Sequence, residues 1–248
     1  MTARVRTFLR HFLLQAGWNY DRMQHLGVAY TMLPELRRIH RTPEALQAAA
    51  LRHLDYFNTQ PFMAAPLLGA TVKLEEQVAA GLTVPEDVNS FKASIMGSYG
   101  AIGDSFFWAA CKPLGAVISM IITLLGGGLW GPVVFVACFD SIAFAVRAWG
   151  FFTGAAIGPM VVARLARLDF AMATRRLKIT AAMLSGIVVA LWAHHFRTVG
   201  TGISTEMVAF PLTVALAGTA RRGISPAAAA TVVAACAALA QKWLAVSG

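Results

Sequence analysis

Residues 57–80 read FNTQPFMAAPLLGATVKLEEQVAA. The stretch is apolar enough for a bilayer, yet Pro61, Pro66 and Gly69 interrupt it before it reaches the roughly 20 residues a crossing helix needs. Irregular backbone survives at membrane depth only where protein buries it or where it lines a wet cavity, so a broken apolar segment is expected to be a re-entrant hairpin next to a site. A second such segment is expected near residues 93–112. There Gly97, Gly100 and Gly103 precede Asp104 in SFKASIMGSYGAIGDSFFWAACKP (residues 90–113).

Outward from these segments the chain divides in two. The first 55 residues are polar and carry eight of the sixteen arginines, which predicts a cytoplasmic or interfacial helical segment. Thr42 before Pro43 predicts a helix start. At the very beginning, Arg4, Arg6 and Arg10 alternate with apolar residues, with Phe8, Leu9, Phe12 and Leu13 on one side, so this is read as a basic amphipathic helix or an ordinary surface helix and no cleaved signal peptide is expected. Residues 56–248 form the membrane part. Spans are expected within residues 113–246: 114–125 (extended back toward 102), 130–149, 179–196, 207–220 and 226–246. Trp108, Trp130, Trp149, Trp192 and Trp243 are expected as interfacial anchors.

Composition agrees. Of 248 residues 57% are apolar and 13% charged, and mean hydropathy is +0.61, against about a quarter charged in a soluble domain. A compact soluble enzyme, a disordered chain and a disulfide scaffold are excluded. The net charge of +9 is explained by basic loops on the inner face, without nucleic acid. Arg164, Arg167, Arg175, Arg176 and Lys178 make one such loop and Arg221 and Arg222 another, which places the N-terminus in the cytoplasm. The fold class is therefore all-α: a polytopic helical membrane protein with re-entrant hairpins and about five transmembrane helices.

Few side chains in the apolar part carry chemistry. Asn58, Thr59 and Gln60 offer amides and a hydroxyl of the kind that recognise sugar hydroxyls, or else they satisfy a broken helix. Glu75 and Glu76 diverge by about 100° on a helix, so at most one faces a pocket, and the other meets Lys73, Arg52 or water. Asp104 is an N-cap, a site acid, or both. Asp140 and Arg147 share a face and are expected to pair with each other or with another helix. Gly150, Gly154 and Gly158 permit close helix packing. The glycines at 126–128 and 131 lack a following Lys-Ser/Thr and predict a turn. Cys111, Cys138 and Cys236 are expected as buried free thiols, and His194 and His195 as interfacial residues. No metal ligands and no cofactor are expected.

Residues 51–77 (LRHLDYFNTQPFMAAPLLGATVKLEEQ) strongly resemble the IID membrane component of the mannose/fructose/sorbose family of sugar phosphotransferase systems. Residues 17–36 (GWNYDRMQHLGVAYTMLPEL), 100–113 (GAIGDSFFWAACKP) and 212–226 (LTVALAGTARRGISP) resemble that family in the same order. The resemblance implies a multi-pass plasma (inner) membrane subunit. It would pair with a IIC subunit as a hetero-oligomer and form the path for uptake of a hexose-type sugar. Phosphorylation would come from separate IIA and IIB components supplied by HPr. On this reading the subunit is not an enzyme in isolation, because a phosphoryl relay needs an exposed His or Cys in a folded soluble site. Asn58, Gln60, Glu75 and Asp104 are the expected polar contacts to substrate or to IIC. Residues 158–206 are compressed relative to the family pattern, which keeps open an alternative: a IID-like protein without transport, with a regulatory or structural role.

Overall fold

The computed structural model describes residues 1–198, with side chains to Trp192. Among the described residues the fold is all-α, and the only β pairing is two isolated bridges, Asn19 with Met23 and Met23 with Phe57. The helices are α1 (Ala3–Arg10), α2 (His25–Ile39), α3 (Pro43–Arg52), α4 (Ala64–Ala79), α5 (Pro85–Gly103), α6 (Lys112–Ile122), α7 (Trp130–Ile157), α8 (Met160–Ala166) and α9 (Phe170–Thr198). α3 begins as its sequence dictates: Thr42 accepts from Ala45 N and Pro43 fills the first turn, where no donor is needed.

α4 is the buried centre. Residues 64–72 and 74–75 are all buried, and the helix lies along α7, with α2, α5 and α8 around it. Neither Pro66 nor Gly69 breaks it. Pro66 falls in the first turn, where its missing N–H is not required. Gly69 is small because a Cβ there would meet Phe151 O at 2.2 Å. The same closeness explains two glycines of the expected stripe, since a Cβ on Gly150 would sit 2.9 Å from Pro66 and one on Gly154 would sit 2.5 Å from Pro66 O, whereas Gly158 ends α7 with a φ of +65°. At 16 residues, or about 24 Å, α4 is too short to cross a hydrocarbon core of about 30 Å.

Residues 93–112 correct the expectation of a second break. They lie inside one helical run, Pro85–Gly127, in which α5 passes through a wider π-wound stretch, Asp104–Cys111, into α6. The glycines loosen the winding and admit neighbours without ending the helix. Asp104 accordingly has helical φ/ψ of −63° and −42° and is no N-cap. A turn at the 126–128 glycines, with φ of +91° at Gly126 and +52° at Gly128, leads into α7.

Pro85–Gly127 and Trp130–Ile157 are each long and apolar enough to cross a bilayer, and only 11% of the most apolar window of each is buried. A core helix of a soluble protein would hide such a surface. Here Val133, Val136, Ile142 and Phe144 are exposed on α7, as a lipid-facing side requires. The expected span at 179–196 lies within α9, whereas 207–220, 226–246, Arg221, Arg222, Cys236 and Trp243 lie outside the described residues, as do the side chains of His194 and His195. Cys111 is buried as expected, but Cys138 is exposed on α7. Trp108 is no end anchor: it sits midway along the long helix, stacked on Phe139 at 6.0 Å.

The N-terminal helix is anchored from one side. Phe8 packs on Phe144, Phe151 and Phe152 of α7, and Phe12 stacks on Phe144, while Leu9 and Leu13 stay exposed. Arg147 forms no ion pair with Asp140; its guanidinium lies 4.7 Å from the Phe12 ring and 4.5 Å from that of Phe62.

Candidate functional site

Three of the four expected site residues meet. Asn58, Gln60 and Asp104 line one polar cavity of about 390 Å³, together with Gln15, Gln24 and Trp108. Its volume falls at the small end of the usual range for ligand pockets, about 300–1,000 Å³. One wall is the face of the long helix that presents Gly97, Gly100, Ala101, Asp104 and Trp108, a spacing of one helical side. The opposite wall is the loop 58–61 that precedes α4.

Backbone demands hold that loop in place. Gln24, buried just before α2, grips Thr59 with both ends of its amide: Nε2 donates to Thr59 O at 2.8 Å and Oε1 accepts from Thr59 N at 3.1 Å. Gln24 N also donates to Phe57 O at 2.8 Å. Gln60 caps the start of α4, its Oε1 accepting from Phe62 N at 2.7 Å and Met63 N at 3.0 Å. Two N–H donors aimed at one atom fix it as the oxygen. Gln60 and Thr59 both belong to the cavity lining, and among the described residues the Gln60 Nε2 group and Thr59 Oγ1 are buried without a hydrogen-bond partner. Close approach by the long helix is possible because residue 103 is glycine: a Cβ there would meet Gln60 Cβ at 2.6 Å. Asn58 and Asp104 are exposed, and their side chains make no protein hydrogen bond among the described residues.

Glu75, the fourth expected site residue, does not line this cavity and sits in a polar cluster of its own. Its side chain is 0% exposed. Oε1 accepts from Arg52 Nε at 2.9 Å and His53 Nε2 at 3.0 Å; Oε2 accepts from Arg52 Nη2 at 3.2 Å and His40 Nε2 at 2.8 Å. A carboxylate only accepts, so both imidazoles present Nε2–H to it. Behind His53, Lys92 Nζ donates to Arg52 O at 2.8 Å and lies 3.4 Å from His53 Nδ1. Burial alone would raise the Glu75 carboxyl; the bonds from His53 and His40 and the Arg52 guanidinium outweigh it and hold the group at about 2. For His53 burial dominates and lowers the imidazole to about 4, so the ring is neutral. The cluster thus staples the ends of α2 and α3 to α4 and α5. Glu76, one residue on, faces another way as helical geometry requires, and meets Arg4, Arg38 and Lys73.

Sequence reasoning missed Gln15 and Gln24, and the two histidines that complete the Glu75 cluster. Gln24 and Thr59 are 35 positions apart, a pairing no local period reveals.

In chemical terms the cavity offers neutral amides that donate and accept, plus a carboxylate that accepts, without metal-binding clusters among the described residues. The family model described as the mannose/fructose/sorbose phosphotransferase system IID component matches residues 2–242. A mannose-specific EIID component of Escherichia coli (strain K12) is 36% identical over 189 residues, 75% of this chain and 66% of that protein. A sorbose-specific EIID component of Lacticaseibacillus casei is 30% identical, again over 75% of this chain and 66% of the relative. The chain thus spans about two thirds of the length of the curated relatives it matches. A chain in the cryo-EM structure of the mannose transporter ManYZ in complex with microcin E492 superposes with a TM-score of 0.61 at 28% identity, covering 98% of this chain and 96% of that one.

Proposed function

This chain belongs to the mannose/fructose/sorbose phosphotransferase IID family, and from that premise we propose that it is the IID membrane subunit of a sugar permease, with the cavity between loop 58–61 and the long helix as its contact to a neutral hexose-type sugar. One observation carries the reading: a buried Gln60 Nε2 without a partner, beside open Asn58 and Asp104, in a cavity lined by amides. An unpaired buried donor costs about 1–3 kcal/mol, which a ligand hydroxyl would offset. Sugars are bound through such mixed donors and acceptors.

The chain acts with a IIC subunit, on this reading, and the two together form the membrane path. The likeness to a chain of the ManYZ transporter supports a partnership of that type. Uptake is coupled to phosphorylation by separate IIA and IIB components charged by HPr. Asn58 and Asp104 contact sugar hydroxyls directly, and Gln24 positions the loop that presents Asn58 and Gln60. The N-terminal segment faces the cytoplasm.

The test is co-purification with the IIC subunit followed by calorimetric titration with hexoses. Wild-type complex should bind at least one of them, and Asp104→Ala should weaken that binding without dissociating the complex. Assembly with IIC but no binding of any hexose would instead favour a IID-like protein with a regulatory or structural role.

A further inference from the structure

Away from the polar cavity, three openings follow one another along the seam where α9 runs beside α5 and α6. The first, of about 610 Å³, lies between α5 and α8 and is lined by Ile95, Tyr99, Ile102, Leu165 and Phe170. The second, about 420 Å³, shares Ile102, Phe170 and Ala171 with the first and adds Ser105, Thr174 and Lys178. The third, about 480 Å³, is apolar and lies further along the same two helices, between Met120, Leu124, Val188 and Val189. The seam is therefore polar and cationic at one end and apolar at the other.

Two independent features mark the polar end. Tyr99 is 5% exposed and lines the first opening, and its hydroxyl is buried without a hydrogen-bond partner among the described residues. Lys178 lines the second opening, and it is one of five exposed cations, with Arg164, Arg167, Arg175 and Arg176, within fifteen residues of the chain. The only acid among them, Asp169, is engaged in capping α9, its Oδ1 accepting from Met172 N at 2.9 Å. From Lys178 to Val189 the helix rises about 16 Å at 1.5 Å per residue. That is close to half of a hydrocarbon core of about 30 Å, the depth of a single leaflet.

We propose that this seam is a binding site for one anionic phospholipid, its phosphate held by Lys178 and the Tyr99 hydroxyl and its acyl chain laid along α6 and α9. Basic pockets between membrane helices recognise anionic headgroups through charge, while the apolar groove supplies the rest of the affinity. The site shares only Ala101 with the lining of the polar cavity, and the proposal does not rest on sugar binding there. Phosphatidylglycerol is the probe, since its glycerol gives Ser105 and Thr174 partners that phosphatidylcholine does not.

Full-length protein is incubated with mixed micelles of phosphatidylglycerol and phosphatidylcholine, separated from free lipid by gel filtration, and its retained lipids are counted by mass spectrometry. Phosphatidylglycerol should be retained over phosphatidylcholine. Lys178→Gln, an exposed change, should lower its apparent affinity about five-fold, the equivalent of about 1 kcal/mol for one cation at an anionic surface. Tyr99→Phe should lower it further in the double variant. Val189→Trp, which fills the apolar end and leaves every charge in place, should also reduce retention, in protein whose melting temperature matches wild type. Equal retention of both lipids, or unchanged retention in the double variant, overturns the proposal. So does displacement of the lipid by glycerol phosphate at equal concentration, which would place the affinity in the phosphate alone.

Discussion

Gln60 and Glu75 stand fifteen residues apart on either side of the same buried helix, and their surroundings treat hydrogen bonding in opposite ways. Around Glu75 every oxygen lone-pair direction in use is met by a protein donor: Arg52 twice, His53 and His40. Around Gln60 the protein meets only the carbonyl end of the amide and leaves the Nε2 end, Thr59 Oγ1, Asn58 and Asp104 open. Closed polar clusters hold elements together; open ones cost stability that a ligand can return. The buried acid of α4 is thus the holding group, and the amides before that helix keep unpaired ends among the described residues.

The largest effect should come from breaking the closed cluster. Glu75→Ala leaves Arg52 buried without a counter-charge and both imidazoles without an acceptor, and removing one partner of a buried pair costs about 3–5 kcal/mol. Thermal unfolding of the detergent-purified protein should show it, together with poor recovery of the IIC complex. A variant of normal melting temperature that has lost only sugar binding would move Glu75 into the site and erase the contrast.

Gln24→Ala tests the link between the two walls of the cavity. It strands Thr59 N and O, at a cost of about 1–3 kcal/mol for buried groups left unmet. Because Gln24 acts through loop 58–61, sugar affinity and the protection of the Thr59 amide from hydrogen exchange should fall together, and Gln24→Glu should restore little, since it keeps the acceptor and loses the donor. Asn58→Ala should do less to the protein and more to the ligand. Asn58 makes no protein bond, so stability should stay within about 0.5 kcal/mol, while losing one sugar hydrogen bond should weaken binding about ten-fold. Unchanged affinity would remove Asn58 from the site.

Much of this division was legible in residues 57–80, and the reasons for the rest are physical. The NTQP block could be read as polar groups at a break because Pro61 ends any helix entering it, and Asn58, Gln60 and Asp104 do converge. Glu75 and Glu76 facing different neighbours followed from helical geometry alone. Which acid met which partner did not, since His40, Arg52 and His53 reach Glu75 only through tertiary packing of α2 and α3. The glycines before Asp104 were read as breakers because glycine lowers helix propensity. Packing overrode that preference: at residue 103 the helix needs no side chain so that Gln60 can approach, and the run continues to Gly127. Asp140 and Arg147 share a face, yet the guanidinium has two aromatic rings brought to it by the turn after α1 and the loop before α4, and takes those instead.

The smallest expected effect is on pH dependence, and it separates the two regions without altering the cavity. His53 is held neutral, its folded value lowered by burial from 6.5 to about 4. Unfolded chains bind that proton below 6.5 and the folded protein does not, so stability is complete above 6.5 and is lost as pH falls toward 4. Glu75, lowered from 4.5 to about 2, acts in the same direction but lower: its contribution is present above 4.5 and is lost as pH falls toward 2. Between pH 6.5 and 5, then, the slope within this cluster belongs to His53 rather than to Glu75, and His11, lowered by burial from 6.5 to about 3, adds a second slope of the same sign. His53→Gln, which can still donate to the Glu75 carboxylate but does not titrate, should therefore reduce the slope of melting temperature across that window by about half, at some loss of absolute stability. A slope as steep in His53→Gln as in wild type would mean that protonation outside the closed cluster governs the acid response. Glu75 would then be only one of several groups that acid disturbs.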